Sequence, residues 1–342
     1  MEEKHLDAFL VTKPENIYYL SAFSGGSDAR LVISAHEKYI LTDGRYLEQV
    51  NRECADWKLV REDGAGLDSL AGICDKYNSL VVESNHLTYE LFKQLAARLK
   101  PQLFPMANVI EKFRAVKDAV ELDLLRQAAR IGDLVFTCIC PEIQVGVSEK
   151  YIANRITCLL KDLGCSKESF STIAVAGENA ALPHGQPGER LIQPGDMLTM
   201  DFGGFYQGYA GDMTRTVAIG EPSTQLRDIY HKVLEVQEIG VAAVKAGSDC
   251  QAIDRQVRQG LAKYELDNYF VHGTGHGVGL EIHELPSLSA HSEAVLEEDM
   301  VVTVEPGVYI PGWGGIRIED TVIVKNGGCQ VITSSDKSLL IL

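Results

Sequence analysis

Apolar positions in the first third of the chain fall in short blocks separated by polar turns. Residues 6–11 (LDAFLV), 31–33 (LVI), 39–41 (YIL) and 79–82 (SLVV) are runs of strand length. Helical spacing appears over 44–53 and strongly over 88–99, TYELFKQLAARL, where Pro101 and Pro105 are expected to stop the helix. This alternation predicts an α/β domain on a mostly buried sheet. A polar stretch follows at 111–118 (EKFRAVKD). A long amphipathic helix then begins near Val120, with Leu122, Leu125, Ala128, Ala129 and Ile131 on its apolar stripe. The change of pattern puts a boundary near 116 and gives two domains, 1–116 and 117–342.

The second domain opens with helices over about 118–141 and 148–163. It then turns strand-rich, over 171–176, 197–202, 213–219, 300–305 and 316–324, with further helices over 224–245 and 249–265. Pro194-Gly195 and Pro222 punctuate the strands. Two stretches read as versions of one unit: 195–220, GDMLTMDFGGFYQGYAGDMTRTVAIG, and 298–328, EDMVVTVEPGVYIPGWGGIRIEDTVIVKNGG. Each has Asp-Met, a β-rich run ending in an acid, a glycine turn, an Arg and a second β-rich run. The expectation is two β-hairpins related by approximate internal symmetry.

Composition narrows the function. The 342 residues are 45% hydrophobic and 23% charged, ordinary usage for a globular chain of two domains. Lys and Arg number 32 against 48 Asp and Glu, a formal net charge of −16. That balance argues against nucleic acid or an anionic membrane surface as a partner. No segment approaches the ~18 apolar residues of a membrane span. The start, Met-Glu-Glu-Lys-His, lacks the basic and apolar regions of a signal peptide. Eight cysteines lie scattered without a C-x-x-C pair, as expected for reduced thiols in a cytoplasmic protein.

Four acids stand where the two hairpins turn: Asp201 and Asp212 in the first, Glu305 and Glu319 in the second. If the symmetry holds they converge, and bare carboxylates cannot share a buried site without a counter-charge. Two divalent cations would balance them. An imidazole is at hand in VHGTGHGVGLEIHE (271–284), which holds His272, His276 and His283 among glycines that permit close backbone approach. The glycine spacing does not match the dinucleotide fingerprint, because the third position is Val278. An isolated acid of this kind reads as a turn residue; the ensemble reads as an oxygen-rich metal site. Strand periodicity adds that Arg317 and Glu319 share a face, as do Asp212 and Thr214, so Thr214 could orient a ligand carboxylate. His5, His36, His86, His231 and His291 have no such context and read as ordinary surface or core polar groups.

The runs PHGQPGERLIQPGDMLTMDFGGFYQGYAGDMTRT, HGTGHGVGLEIHE and EPGVYIPGWGGIRIED resemble the pita-bread metallopeptidases, within them the prolidase and aminopeptidase P branch. The motifs cover about 182–320 in order. The resemblance implies an N-terminal creatinase/prolidase-like domain, a pita-bread catalytic domain with pseudo-twofold symmetry, and two divalent ions per chain. Manganese is the first expectation, with zinc, cobalt or iron as alternatives. Asp201 would chelate one ion, Asp212 and Glu319 would bridge both, and His276 and Glu305 would complete the other. Water or hydroxide held between the ions would attack the peptide carbonyl. Glu305 would transfer protons, His184 would contact substrate, and His283 would stabilise the oxyanion. His272 would line the proline pocket, with Tyr309 and Arg317 beside the metals.

The implied activity is hydrolysis of Xaa-Pro bonds in short proline-containing peptides by a homodimer. Dipeptidase is the favoured reading and aminopeptidase on longer peptides the alternative. Arg317, Arg30 and Arg45 are candidate cations for a dipeptide's carboxylate. Methionine aminopeptidases lack an N-terminal domain of this kind, and creatinase lacks the acids. An inactive pita-bread binding module is a remote alternative, since such proteins lose ligands. Gly211 stands where the family often has Ser, which bears on backbone freedom before Asp212.

Overall fold

A computed structural model describes residues 6–62 and 67–342. His5 and the acidic start lie outside the described residues. The chain divides into two compact units, Met1–Arg114 and Ala115–Leu342.

The first unit holds strands β1 (Ala8–Val11), β2 (Ala29–Ser34), β3 (Lys38–Thr42), β4 (Lys58–Arg61), β5 (Ser79–Glu83) and β6 (Gln102–Met106). Its helices are α1 (Pro14–Ser21), α2 (Leu47–Glu53), α3 (Asp68–Cys74), α4 (Tyr89–Arg98) and α5 (Val109–Ala115). The six strands form one mixed sheet in the order β4-β3-β2-β1-β5-β6. Both faces are covered, as the unbroken apolar runs require. Ala8, Leu10, Val32 and Val82 pack with Leu70 and Leu95 on one side. Phe9, Val11, Leu31 and Val81 pack with Ile17, Val50 and Ile110 on the other. Helix α4 ends at Arg98, and Pro105 lies inside the edge strand β6 rather than in a helix stop. An edge strand tolerates the missing N–H. The polar stretch near 111–118 is largely the helix α5.

The second unit opens with α6 (Ala119–Ile139), fixed by a reciprocal cap: Asp118 accepts from Val120 and Glu121 N–H, and Glu121 accepts from Asp118 N–H. Helix α7 (Glu149–Asp162) follows, then β7 (Lys167–Glu168), β8 (Ile173–Ala176), β9 (Met197–Phe202), β10 (Gly204–Tyr206), β11 (Tyr209–Ala210) and β12 (Met213–Ala218). Next come α8 (Thr224–Ala243), α9 (Cys250–Ala262), β13 (Gly275–Gly277), β14 (Glu284–Leu288), β15 (Val301–Val304), β16 (Gly307–Ile310), β17 (Gly314–Arg317), β18 (Asp320–Lys325) and β19 (Gly328–Val331). Among the described residues no helix is long and apolar enough to cross a membrane.

The two halves repeat one plan. Two helices lead into three antiparallel strands, ordered β8-β9-β12 in the first half and β13-β15-β18 in the second. A small hairpin, β10–β11 or β16–β17, is inserted between the last two strands of each. The single run expected over 316–324 breaks at Ile318-Glu319, where the chain leaves its pairing with β16 and joins β15.

Strand alternation then assigns faces. Leu198, Met200, Phe202, Met213 and Val217 pack with the apolar sides of α6 and α7. Val302, Val304, Val322 and Val324 pack with Val244, Cys250 and Ile253. The opposite faces carry threonines, and each of the four acids lies two residues from one: Thr199 and Asp201, Asp212 and Thr214, Thr303 and Glu305, Glu319 and Thr321. All four threonines are buried. Their hydroxyls stitch the halves together: Thr214 donates to Glu319 Oε2 at 2.7 Å, and Thr321 to the Asp212 carbonyl at 2.8 Å.

Candidate metal centre

The four acids, His184, His272, His276, His283 and Arg317 line one cavity of about 410 Å³. Asp201 is the penultimate residue of β9, and Asp212 stands just before β12. Glu305 follows β15, and Glu319 sits at the break before β18. His276 lies at the middle of β13, which packs against β15 because Gly275 has no side chain: a Cβ there would fall 1.9 Å from the Thr303 carbonyl oxygen. The His276 N–H donates to Thr303 Oγ1 at 3.1 Å.

Hydrogen bonding fixes the histidine tautomers. His276 Nδ1 is 3.1 Å from the Gly277 carbonyl and His272 Nδ1 is 2.8 Å from that of Gly273, so both rings carry their proton on Nδ1. Burial holds both rings neutral, each pushed down to about 4, with His283 beside His276 and Arg317 beside His272 adding to it. The lone pair of His276 Nε2 therefore faces Asp212 Oδ2 at 3.5 Å and Glu305 Oε1 at 3.4 Å. A lone pair aimed at carboxylate oxygens calls for a positive centre between them, a cation or a proton. The ligand atoms of Asp212, His276 and Glu319 lie within 4.8 Å of one another.

The carboxylates show the same need. Burial and the neighbouring acids push Asp212 and Glu319 far above the usual carboxylate range. Burial pushes Glu305 up to about 8. Without cations the site takes up protons instead. Asp201 Oδ1 is buried and has no hydrogen-bond partner among the described residues. The donors are carboxylate oxygens and one imidazole, a set that fits divalent ions of intermediate softness.

Arg317 organises the edge of the site. It donates from Nη2 to Asp201 Oδ2 at 2.5 Å, from Nη1 to Tyr309 OH at 2.7 Å and the Pro183 carbonyl at 3.1 Å, and from Nε to Thr214 Oγ1 at 3.2 Å. Tyr309 is buried, and its hydroxyl sits 2.8 Å from His272 Nε2, to which it donates. The rings of His276 and His283 lie 4.2 Å apart. Arg30 and Arg45, in the first unit, are engaged by acids. Arg30 binds both oxygens of Glu62, and Arg45 binds Asp28 and Asp43.

Sequence reasoning did not find the support beneath Glu319. Asp320 is fully buried and accepts from Arg215, Gln237, Thr333 and Lys337 at 2.7–2.9 Å. Arg215 also donates to the backbone carbonyls of Thr214 and Glu319. Nor did it find Asp254, which holds the Thr274 backbone and hydroxyl and pairs with Arg258.

The fold and this acid-rich centre define a pita-bread metal-dependent hydrolase. The sequence pattern of Metallopeptidase family M24 matches residues 123–326, and that of the Creatinase/Prolidase N-terminal domain matches 1–116. The chain belongs to metallopeptidase family M24. It is similar to an Xaa-Pro dipeptidase of Bacillus anthracis, at 39% identity and TM-score 0.97 over 100% of this chain and 96% of that one. It is 34% identical to an Xaa-Pro dipeptidase of Pyrococcus furiosus, over 99% of this chain and 97% of the relative. An X-Pro aminopeptidase of Thermotoga maritima is 32% identical, with TM-score 0.92 over 98% of each chain.

Proposed function

We propose that this protein is an Xaa-Pro dipeptidase that uses two divalent ions held by Asp201, Asp212, His276, Glu305 and Glu319. The observation that carries the reading is the lone pair of His276 facing two carboxylates in a cavity walled by four acids. When bound, the ions supply an activated water and polarise the scissile carbonyl. The chain's own groups do the rest. Glu305 is the proton carrier, held by Thr303 Oγ1 at 3.4 Å. His283, beside His276, is placed to donate to oxygen as charge develops there. His184, exposed in the cavity, contacts the substrate.

Proline specificity has a physical basis. An Xaa-Pro amide has no N–H and a fixed φ, so a site that grips backbone N–H groups cannot hold it. His272 lines the cavity, with Tyr309 and Arg317 fixing its ring. A cavity of about 410 Å³ is at the small end of ligand pockets, roughly 300–1,000 Å³, and suits a dipeptide. Four of the five Arg317 N–H groups are engaged, and the second Nη2 hydrogen remains for a substrate carboxylate.

Manganese is the proposed ion, since carboxylate-rich sites suit it. All eight cysteines are free thiols, which supports work in the cytoplasm. A homodimer is the proposed assembly, supported by exposed Val145, Tyr151 and Leu191 around the bridge between Ser148 and Leu191. The test is release of free proline from Ala-Pro by Mn²⁺-loaded protein beside chelated protein. Proline from the loaded protein alone is expected, and none from either overturns the reading.

A further inference from the structure

Glu149 plays no part in the chemistry above, yet its side chain is fully buried and makes no close ion pair among the described residues, Arg190 acting on it only from a distance. It occupies the first turn of α7, where an acid would ordinarily serve only the helix dipole. Its carboxylate instead turns to the segment between β8 and β9. Oε1 accepts from the Ala176 N–H at 2.8 Å and from Asn179 Nδ2 at 3.1 Å. Oε2 accepts from Asn179 Nδ2 and from the Gly188 N–H, both at 3.1 Å. The backbone completes the join: Glu149 N–H donates to the Arg190 carbonyl and Lys150 N–H to that of Gly188.

These contacts grip the outgoing and the returning root of one loop. Between the roots the chain turns through Leu182 and Gly185 and carries His184. The loop meets the metal centre where the Pro183 carbonyl accepts from Arg317, one residue before His184. The His184 ring is exposed and has no hydrogen bond to another described residue. No hydrogen bond of its own therefore fixes the ring, and the loop backbone sets where it stands.

We propose that Glu149 is a positioning residue that acts through His184 by closing the base of this loop. The inference rests on the role given to His184 in the proposed function. Glutamine cannot replace it. Each carboxylate oxygen receives a backbone N–H, so whichever way an amide is turned, its NH2 faces a donor and one root is released.

The test is a double-mutant cycle on the metal-loaded, full-length protein with Ala-Pro as substrate. Glu149→Gln is expected to lower kcat/KM by about 10- to 100-fold, the scale of an ångström misplacement, with bound metal unchanged. Glu149→Gln with His184→Ala should be no slower than His184→Ala alone, because the clamp acts only through that ring. Losses that multiply would overturn the inference and leave Glu149 a purely structural group. Asn179→Ala removes one donor without stranding a buried charge. It should show the same non-additivity with a smaller loss, and full additivity there would count against the clamp. Amide exchange across 177–190 should quicken in Glu149→Gln while α6 keeps its protection. Unchanged exchange would also overturn the inference. Wild-type protein that fails to cut Ala-Pro would sink the proposed function, and the exchange measurement would still judge the clamp.

Discussion

Arg317 Nη2 donates to Asp201 Oδ2 at 2.5 Å, while Oδ1 of the same carboxylate is buried with no hydrogen-bond partner among the described residues. One oxygen is held by a fixed guanidinium and the other is left for a cation. Arg317 thereby turns the Asp201 carboxylate and supplies one positive charge where the acids supply four negative ones.

Metal and protons compete for this centre, which gives a pH signature. In the metal-free protein Glu305 rises to about 8, against about 4.3 unfolded. Between those values the folded state binds more protons than the unfolded, so stability falls as pH rises. The chelated protein should gain Tm on going from about pH 8.5 to pH 6. The Mn²⁺-loaded protein should show little of this change, and its advantage over the chelated form should be largest at alkaline pH. Calorimetry of both forms at the two pH values checks it.

Thr214→Val removes the hydroxyl that holds Glu319 Oε2 and accepts from Arg317, at nearly constant volume. Metal affinity should fall about 10- to 100-fold. Metal titration by calorimetry reads the change directly.

Asp320→Asn leaves Arg215 and Lys337 without their buried carboxylate. Removing one partner of such a pair costs about 3–5 kcal/mol. Urea unfolding should show that loss, although Asp320 touches no substrate.

His283→Ala should lower kcat about 10²- to 10³-fold, the scale of a lost oxyanion donor. Bound metal should stay at the wild-type level, because His283 stands beside the His276 ring and is not a proposed ligand. Steady-state kinetics with elemental analysis separates the two effects.

The acids were legible because each is tied to its strand by local alternation. Period-two geometry pairs Asp212 with Thr214. Arg317 and Glu319, expected on one continuous strand, stand on either side of the break at Ile318-Glu319, and both line the cavity. Thr214 does reach a carboxylate, that of Glu319, 105 positions away. The support beneath Glu319 was not legible. Arg215 and Asp320 meet across the two halves, and no local pattern marks which acid a buried arginine will find. Glu149 was hidden for the opposite reason, since an acid in a helix's first turn already has a sufficient local explanation. In the first unit, α1, β4, α3 and β6 escaped because each is short and partly polar, and a proline inside β6 reads as a stop until the strand is known to be an edge.

The most direct test of the account is product analysis by mass spectrometry. Mn²⁺-loaded protein would be given Ala-Pro and Ala-Pro-Ala in parallel, with Glu305→Gln as the blank. Cleavage of Ala-Pro with little release of alanine from the tripeptide is the result the account predicts. Efficient cleavage of the tripeptide would contradict the dipeptidase reading and make the protein an aminopeptidase. Failure to cut either peptide would contradict proline-directed peptidase activity altogether.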